Sequence, residues 1–196
     1  RGLQTARSVF AVGRMIRFGI IGAAGRGNSF VRSLRVNPAT ELTALCDLKS
    51  EPLVANAADL GVEHIFTDAG ELIRSDVVDA VVVGTPMQFH APQAILALEH
   101  DIHVLSEVTT AVFIEESRDL VRAARRSAAT YMMAENYTYI KQNVLVCELV
   151  RRGLFGETYY GEGAYIHELK QLNEKTPWRR RWQTGVNGCT YPTHSL

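Results

Sequence analysis

Short runs of β-branched and aliphatic residues recur along the chain. Longer stretches separate them, with apolar residues falling three and four apart. The short runs, at residues 16–21, 42–46, 64–67, 80–83, 103–105 and 130–134, predict strands. The intervening stretches, at 28–35, 52–60, 69–75, 91–99 and 114–127, predict helices. Ala80-Val81-Val82-Val83 has no polar alternation, the pattern of a strand covered on both faces, and Gly84-Thr85-Pro86 ends it. Strand and helix in strict alternation predict an α/β fold, a doubly wound parallel sheet with crossover helices that ends near residue 135. After Asn136 the pattern changes. An amphipathic helix is predicted over 141–152 and an aromatic-rich strand over 158–167. Residues 168–188 read as a polar, charged loop in which Trp178 and Trp182 flank Arg179-Arg180-Arg181. That basic run is by default a solvated face, with a substrate or oligomer contact as the sharper alternative.

Composition narrows the class. The chain has 196 residues, 46% of them hydrophobic, enough for a buried core. Acidic and basic residues cancel at 21 each, so no global field favours nucleic acid or an anionic membrane, and no apolar run approaches the ~20 residues of a bilayer span. The cysteines, Cys46, Cys147 and Cys189, are odd in number and widely spaced, which points to a reducing, cytoplasmic setting. No His/Cys/Asp set has metal-ligand spacing, so no metal is expected. Residues 1–14 carry three arginines and no acid ahead of Met15. They read as an extension outside the fold, either a targeting segment or an upstream read-through remnant.

The first strand empties into Gly22-Ala23-Ala24-Gly25-Arg26-Gly27 and then a helix, and the second apolar run ends on Asp47, twenty residues beyond Gly27. A tight glycine turn into a helix presents backbone N–H groups to a pyrophosphate, and a carboxylate at this distance reaches a ribose diol. Ala24 stands where the middle glycine of G-x-G-x-x-G belongs, and its methyl would crowd the phosphate slightly. An ordinary strand–turn–helix connection would read the same locally. What separates the two is that Gly22, Asp47, Thr85, Pro86 and Glu107 all fall at the carboxyl ends of predicted strands, where doubly wound sheets bind ligands. The expected cofactor is NAD. NADP is disfavoured because Asp47 repels a 2′-phosphate, although nearby Lys49 softens that preference.

Several segments together resemble the Gfo/Idh/MocA family of nicotinamide-dependent oxidoreductases. They are Gly22 to Gly27, Cys46-Asp47, Asp79 through Pro86 with His90, His103-Val104-Leu105-Ser106-Glu107, and Met133-Ala134-Glu135-Asn136. The resemblance implies a Rossmann domain over 15–135, and over 136–196 the start of an α+β domain with a mostly antiparallel sheet. It implies cofactor contacts from Gly22, Ala24, Gly25, Arg26, Gly27, Asp47, Thr85, Pro86, His90, Glu107 and Asn136. For His90 a structural role is an equal alternative. Two positions depart from the family's dehydrogenases. Most of these carry Glu-Lys-Pro after the fifth strand, the lysine assisting proton transfer, whereas this chain has Glu107-Val108-Thr109. Thr190 also replaces the aspartate four residues before His194.

A branch of the family that retains NAD and cleaves N-acetylgalactosaminides and similar glycosides resembles the chain at these departures. The shared pieces include Glu107-Val108, Glu135-Asn136 with Tyr139, Tyr165-Ile166-His167 and Tyr191-Pro192-Thr193-His194. The resemblance implies sugar contacts and catalytic roles for Tyr165, His167, Tyr191 and His194. It also implies a cycle that begins with hydride transfer from a ring carbon to NAD. The resulting ketone acidifies the adjacent C–H, a base removes that proton, the glycosidic oxygen departs, water adds, and the hydride returns. His and Tyr suit such proton transfers, and the paired carboxylates of ordinary glycosidases are not required. The expected function is therefore hydride transfer at a ring carbon of a sugar or glycoside. The alternatives are redox-neutral glycoside hydrolysis and a catalytically silent dinucleotide-binding protein. With 61 residues after Glu135, the chain reads as part of a longer protein that is a homo-oligomer when full length.

Overall fold

A computed structural model describes residues 14–164 together with Ile166, Gln171, Glu174 and Thr176. Six parallel strands form one sheet: β1 (Ile16–Ile21), β2 (Thr40–Cys46), β3 (His64–Phe66), β4 (Ala80–Val83), β5 (His103–Ser106) and β6 (Tyr131–Met133). Their order is β3-β2-β1-β4-β5-β6, the Rossmann arrangement, in which the winding reverses between β1 and β4. The helices are α1 (Val31–Val36), α2 (Ser50–Leu60), α3 (Ala69–Ile73), α4 (His90–Glu99), α5 (Ile114–Arg126) and α6 (Lys141–Arg151).

Successive strand residues point to opposite faces, so each strand feeds two cores. Ile20, Leu45 and Val82 pack on one face with Val31, Leu34, Leu53 and Ala57 from α1 and α2. Ile21, Ala44, Val81, Val83 and Val104 pack on the other with Leu72, Ile73, Ala94, Leu98 and Leu120 from α3, α4 and α5. β4 is buried along its whole length, as its unbroken valine run predicts. At the amino end of the sheet Asp79 ties three strands together. It accepts from Arg17 Nε at 3.1 Å, Nη2 at 2.8 Å and backbone N–H at 3.0 Å, while its own carbonyl accepts from His103 N–H at 3.1 Å.

β2 and α2 each begin two residues before the predicted starts, at Thr40 and Ser50, and two helices are entered through 3-10 turns. The helix predicted from residue 28 begins as a 3-10 turn, Arg26–Phe30, because the glycine turn is wound tightly enough for the N–H groups of Gly25 and Gly27 both to bond Gly22 O. Likewise α4 is preceded by a 3-10 turn, Met87–Phe89. The strand predicted over 158–167 is absent among its described residues, with Tyr159 97% exposed. A strand needs a neighbour for its backbone donors and acceptors, and none of the described residues supplies one. α6 forms as predicted, yet Val144, Leu145, Val146 and Val150 on it are exposed.

Candidate cofactor cleft

The carboxyl ends of the strands open into a cleft of about 910 Å³. Ten of the eleven residues expected at the cofactor line it: Gly22, Ala24, Gly25, Arg26, Asp47, Thr85, Pro86, His90, Glu107 and Asn136. Gly27 lies behind it, buried under Ile20, where it lets the helix start close against the strand. Tyr165, His167, Tyr191 and His194, expected at the sugar, lie outside the described residues, as does Cys189.

Backbone proximity makes the floor of the cleft. Gly22 has φ +89°, and a Cβ there would lie 2.6 Å from Gly84 O. A Cβ on Gly84 would in turn sit 2.5 Å from Gly27 Cα. The turn after β1 and the turn after β4 are thus pressed together, leaving the space above them for a ligand. At Gly25 an added Cβ would meet nothing closer than Gly22 O at 3.8 Å, so the middle of the turn is open, although position 24 carries a methyl.

Asp47 is held from two sides. Its Oδ2 accepts from Ala24 N–H at 2.9 Å and its Oδ1 from Lys49 N–H at 3.0 Å, which fixes the carboxylate at the end of β2 beside the glycine turn. Asp68, capping α3, adds a second carboxylate to this side of the cleft. Cys46, directly before Asp47, has its thiol pushed up to about 12, mainly by burial and further by the Asp47 charge, so it remains an unreactive thiol.

The opposite side carries Glu107, whose side chain is 9% exposed. Arg26 reaches across from the glycine turn: its Nη2 donates to Glu107 Oε1 at 3.2 Å, and its Nε lies 3.2 Å from Oε2. The second contact is an ion pair by distance without hydrogen-bond alignment, so Oε2 keeps an unused acceptor position. His90 is 1% exposed, and its Nδ1 and Nε2 each lie 2.7 Å from a carbonyl oxygen, those of Thr109 and Thr85. The Val108–Thr109 peptide is cis.

A dinucleotide fits these features. There is an open glycine turn for a pyrophosphate, a fixed carboxylate on the β2 side for one ribose, and a buried carboxylate oxygen on the β5 side for a further hydroxyl. Sequence reasoning missed Leu48, Thr67, Gln93 and Tyr137, which also line the cleft. Leu48 is 84% exposed beside Asp47, an apolar side chain lying open next to the ribose position. Thr67 follows β3, so the rule that ligands sit at strand ends could have found it. Gln93 and Tyr137 are brought in by helix and loop geometry that leaves no local pattern. Among the described residues no group of three or more His, Cys, Asp or Glu could hold a metal.

A family model described as an oxidoreductase family with an NAD-binding Rossmann fold, Gfo/Idh/MocA, matches residues 16–135. An alpha-N-acetylgalactosaminidase of Shewanella oneidensis is 37% identical over 201 residues, covering 93% of this chain and 43% of that protein. A glycosyl hydrolase family 109 protein of Shewanella woodyi is 37% identical over 198 residues, covering 92% of this chain and 42% of that protein. The chain thus spans less than half the length of these relatives. Among solved structures, the WlbA dehydrogenase from Bordetella pertussis, in complex with NADH and UDP-GlcNAcA, superposes with a TM-score of 0.76 at 25% identity. The match covers 85% of this chain and 51% of that one.

Proposed function

We propose, from the premise that the chain belongs to the Gfo/Idh/MocA family of NAD-binding oxidoreductases, that it is the cofactor half of an enzyme that transfers a hydride at a ring carbon of a sugar or glycoside. The observation that carries this reading is the cleft itself, a glycine turn and Asp47 on one side of the β1/β4 switch point and Glu107 on the other. NAD, when bound, supplies a hydride acceptor. Asp47 holds the ribose diol of its adenosine half, and together with Asp68 it disfavours a 2′-phosphate, so NAD is taken in preference to NADP. Glu107 Oε2 accepts from a hydroxyl on the nicotinamide side, and Arg26 balances its charge. Asn136 and Tyr137 line the same cleft, on the segment that follows β6.

Redox-neutral glycoside cleavage is the second reading, and two observations favour it over net dehydrogenation. Val108 and Thr109 offer no amine to take a proton from a sugar hydroxyl. The relatives at 37% identity include one named alpha-N-acetylgalactosaminidase. In this reading Tyr165, His167, Tyr191 and His194 contact the sugar and move protons, on a second α+β domain that begins after residue 135. The exposed apolar row of α6 suits burial against further chain or a second copy, and the second of these supports a homo-oligomer. Among the described residues Cys46 and Cys147 are free thiols, which supports a cytoplasmic setting, and the balanced charge supports the absence of a nucleic-acid partner. Among the described residues no helix is long and apolar enough to cross a membrane.

Incubation of the full-length protein and NAD with p-nitrophenyl glycosides and free sugars, following p-nitrophenol and NADH separately, tests the reading. Phenol release without net NADH establishes cleavage, and NADH accumulating on free sugars establishes dehydrogenation. NAD binding with neither signal on any sugar leaves a silent dinucleotide-binding protein and defeats the proposal.

A further inference from the structure

His90 is buried at the edge of the cleft, yet both of its ring nitrogens are occupied by the protein. Nδ1 lies 2.7 Å from Thr109 O and Nε2 2.7 Å from Thr85 O. Both partners are carbonyl oxygens, which only accept, so the ring bonds them as a donor. A cationic ring satisfies both at once and a neutral ring one at a time. No ring nitrogen is left for a ligand. What the ring does is join two loops. Thr85 follows β4 and Thr109 follows β5, and these strands are neighbours, with Val83 beside Ser106. Because His90 is the first residue of α4, the joint stands on a helix packed against the sheet. A parallel link lies one turn on, where Thr85 Oγ1 donates to Gln93 Oε1 at 2.8 Å.

The two loops that His90 joins are the walls of one half of the cleft. A dinucleotide straddles the β1/β4 switch point, and Asp47 after β2 fixes its adenosine half, so the nicotinamide half falls between the β4 and β5 loops. We propose that His90 is a positioning residue, a crossbar from Thr85 to Thr109 that sets the nicotinamide half of the cleft and directs its ring nitrogens to the protein rather than to the nucleotide. The proposal rests on the NAD-binding reading above.

Comparing NAD with ADP-ribose, which has the same adenosine and pyrophosphate but no nicotinamide, tests the crossbar without turnover. In His90→Phe, which keeps the ring volume and can donate to neither carbonyl, NAD affinity falls at least about tenfold, the scale of one lost hydrogen bond, while ADP-ribose affinity holds. His90→Gln and His90→Asn, each able to donate to one carbonyl, fall between and serve if the phenylalanine variant does not fold. Equal loss of both nucleotides in a folded variant overturns the crossbar, since a general packing role weakens both alike. Unchanged binding of both in all three variants overturns it as well. If the unaltered protein binds neither nucleotide, the cofactor reading itself falls and the crossbar falls with it.

Discussion

At the scale of single residues, the cleft depends on two backbone segments touching where side chains would ordinarily keep them apart. Gly84→Ala places a methyl 2.5 Å from Gly27 Cα and 2.6 Å from Gly27 N, and backbone atoms cannot swing aside as a flexible side chain can. The variant is expected to lose about 1–3 kcal/mol of stability, the usual range for forced overpacking, and to bind NAD more weakly because the glycine turn is displaced. Thermal unfolding and an NAD titration on the same sample check both; undiminished stability would show that the turns separate at no cost. Asp47 has a different character, since its carboxylate is held by the N–H groups of Ala24 and Lys49 and needs no rearrangement to meet a ribose. Asp47→Ser removes the charge while leaving an acceptor, so NAD affinity should fall roughly tenfold, the scale of one charge-assisted hydrogen bond, and the preference over NADP should narrow or reverse. Competition binding of the two cofactors measures the ratio, and an unaltered ratio would remove Asp47 from the ribose site.

Between elements, the Arg17–Asp79 cluster binds β1, β4 and β5 at the end of the sheet away from the cleft. Hydrogen bonds from Arg17 hold the Asp79 carboxyl below the usual carboxylate range against the opposing effect of burial, and the same contacts raise the Arg17 guanidinium. A carboxyl whose folded value lies below its unfolded one stabilises the fold above the unfolded value and loses that contribution as pH falls through the folded one. The contribution of Asp79 is therefore complete at neutral pH and begins to fade only below about pH 4, as the pH falls toward the lower folded value. Asp79→Asn should cost about 1–3 kcal/mol at pH 7, while its penalty relative to the unaltered protein should shrink under acid. Denaturant unfolding at pH 7 and pH 3 checks this; an equal penalty at both would mean that the charge is not the source.

The legibility of the chain follows the same division. β1 and β4 were readable to the residue because their apolar runs are bounded by chemistry that stops a strand, Gly22 in one case and Gly84-Thr85-Pro86 in the other. The places of Asp47 and Glu107 in the lining of the cleft were readable because both directly follow strand ends. The pairing of His90 with Thr85 and Thr109 was not, since it joins residues 5 and 19 apart through loop geometry that leaves no periodic trace. The aromatic run near Tyr159 failed for the opposite reason. Its local pattern suits a strand, but a strand exists only with a partner, and the described residues contain none.

For the whole molecule, the balance between the sheet and α6 decides which part folds by itself. No residue of α6 is buried, and among the described residues its main packing is against the 3-10 turn Tyr137–Tyr139, fastened by Asn143 Nδ2 donating to Tyr137 O at 2.8 Å. Among the described residues every strand and both cores lie before residue 135. A fragment of residues 14–140 is therefore expected to melt within about 4 °C of the whole chain, since on the scale of a domain this size that shift corresponds to roughly 1 kcal/mol. It should keep its NAD affinity, because Asp47, Glu107, Asn136 and Tyr137 all remain. It should also be the more soluble of the two, as the exposed row Val144, Leu145, Val146 and Val150 is gone. Calorimetry, NAD titration and light scattering on the two proteins side by side test the three statements. A fragment that unfolds far below the whole chain would mean that residues beyond 140 bear on the sheet through contacts outside the described ones. A stable fragment that no longer binds NAD would instead place part of the cofactor site in those residues.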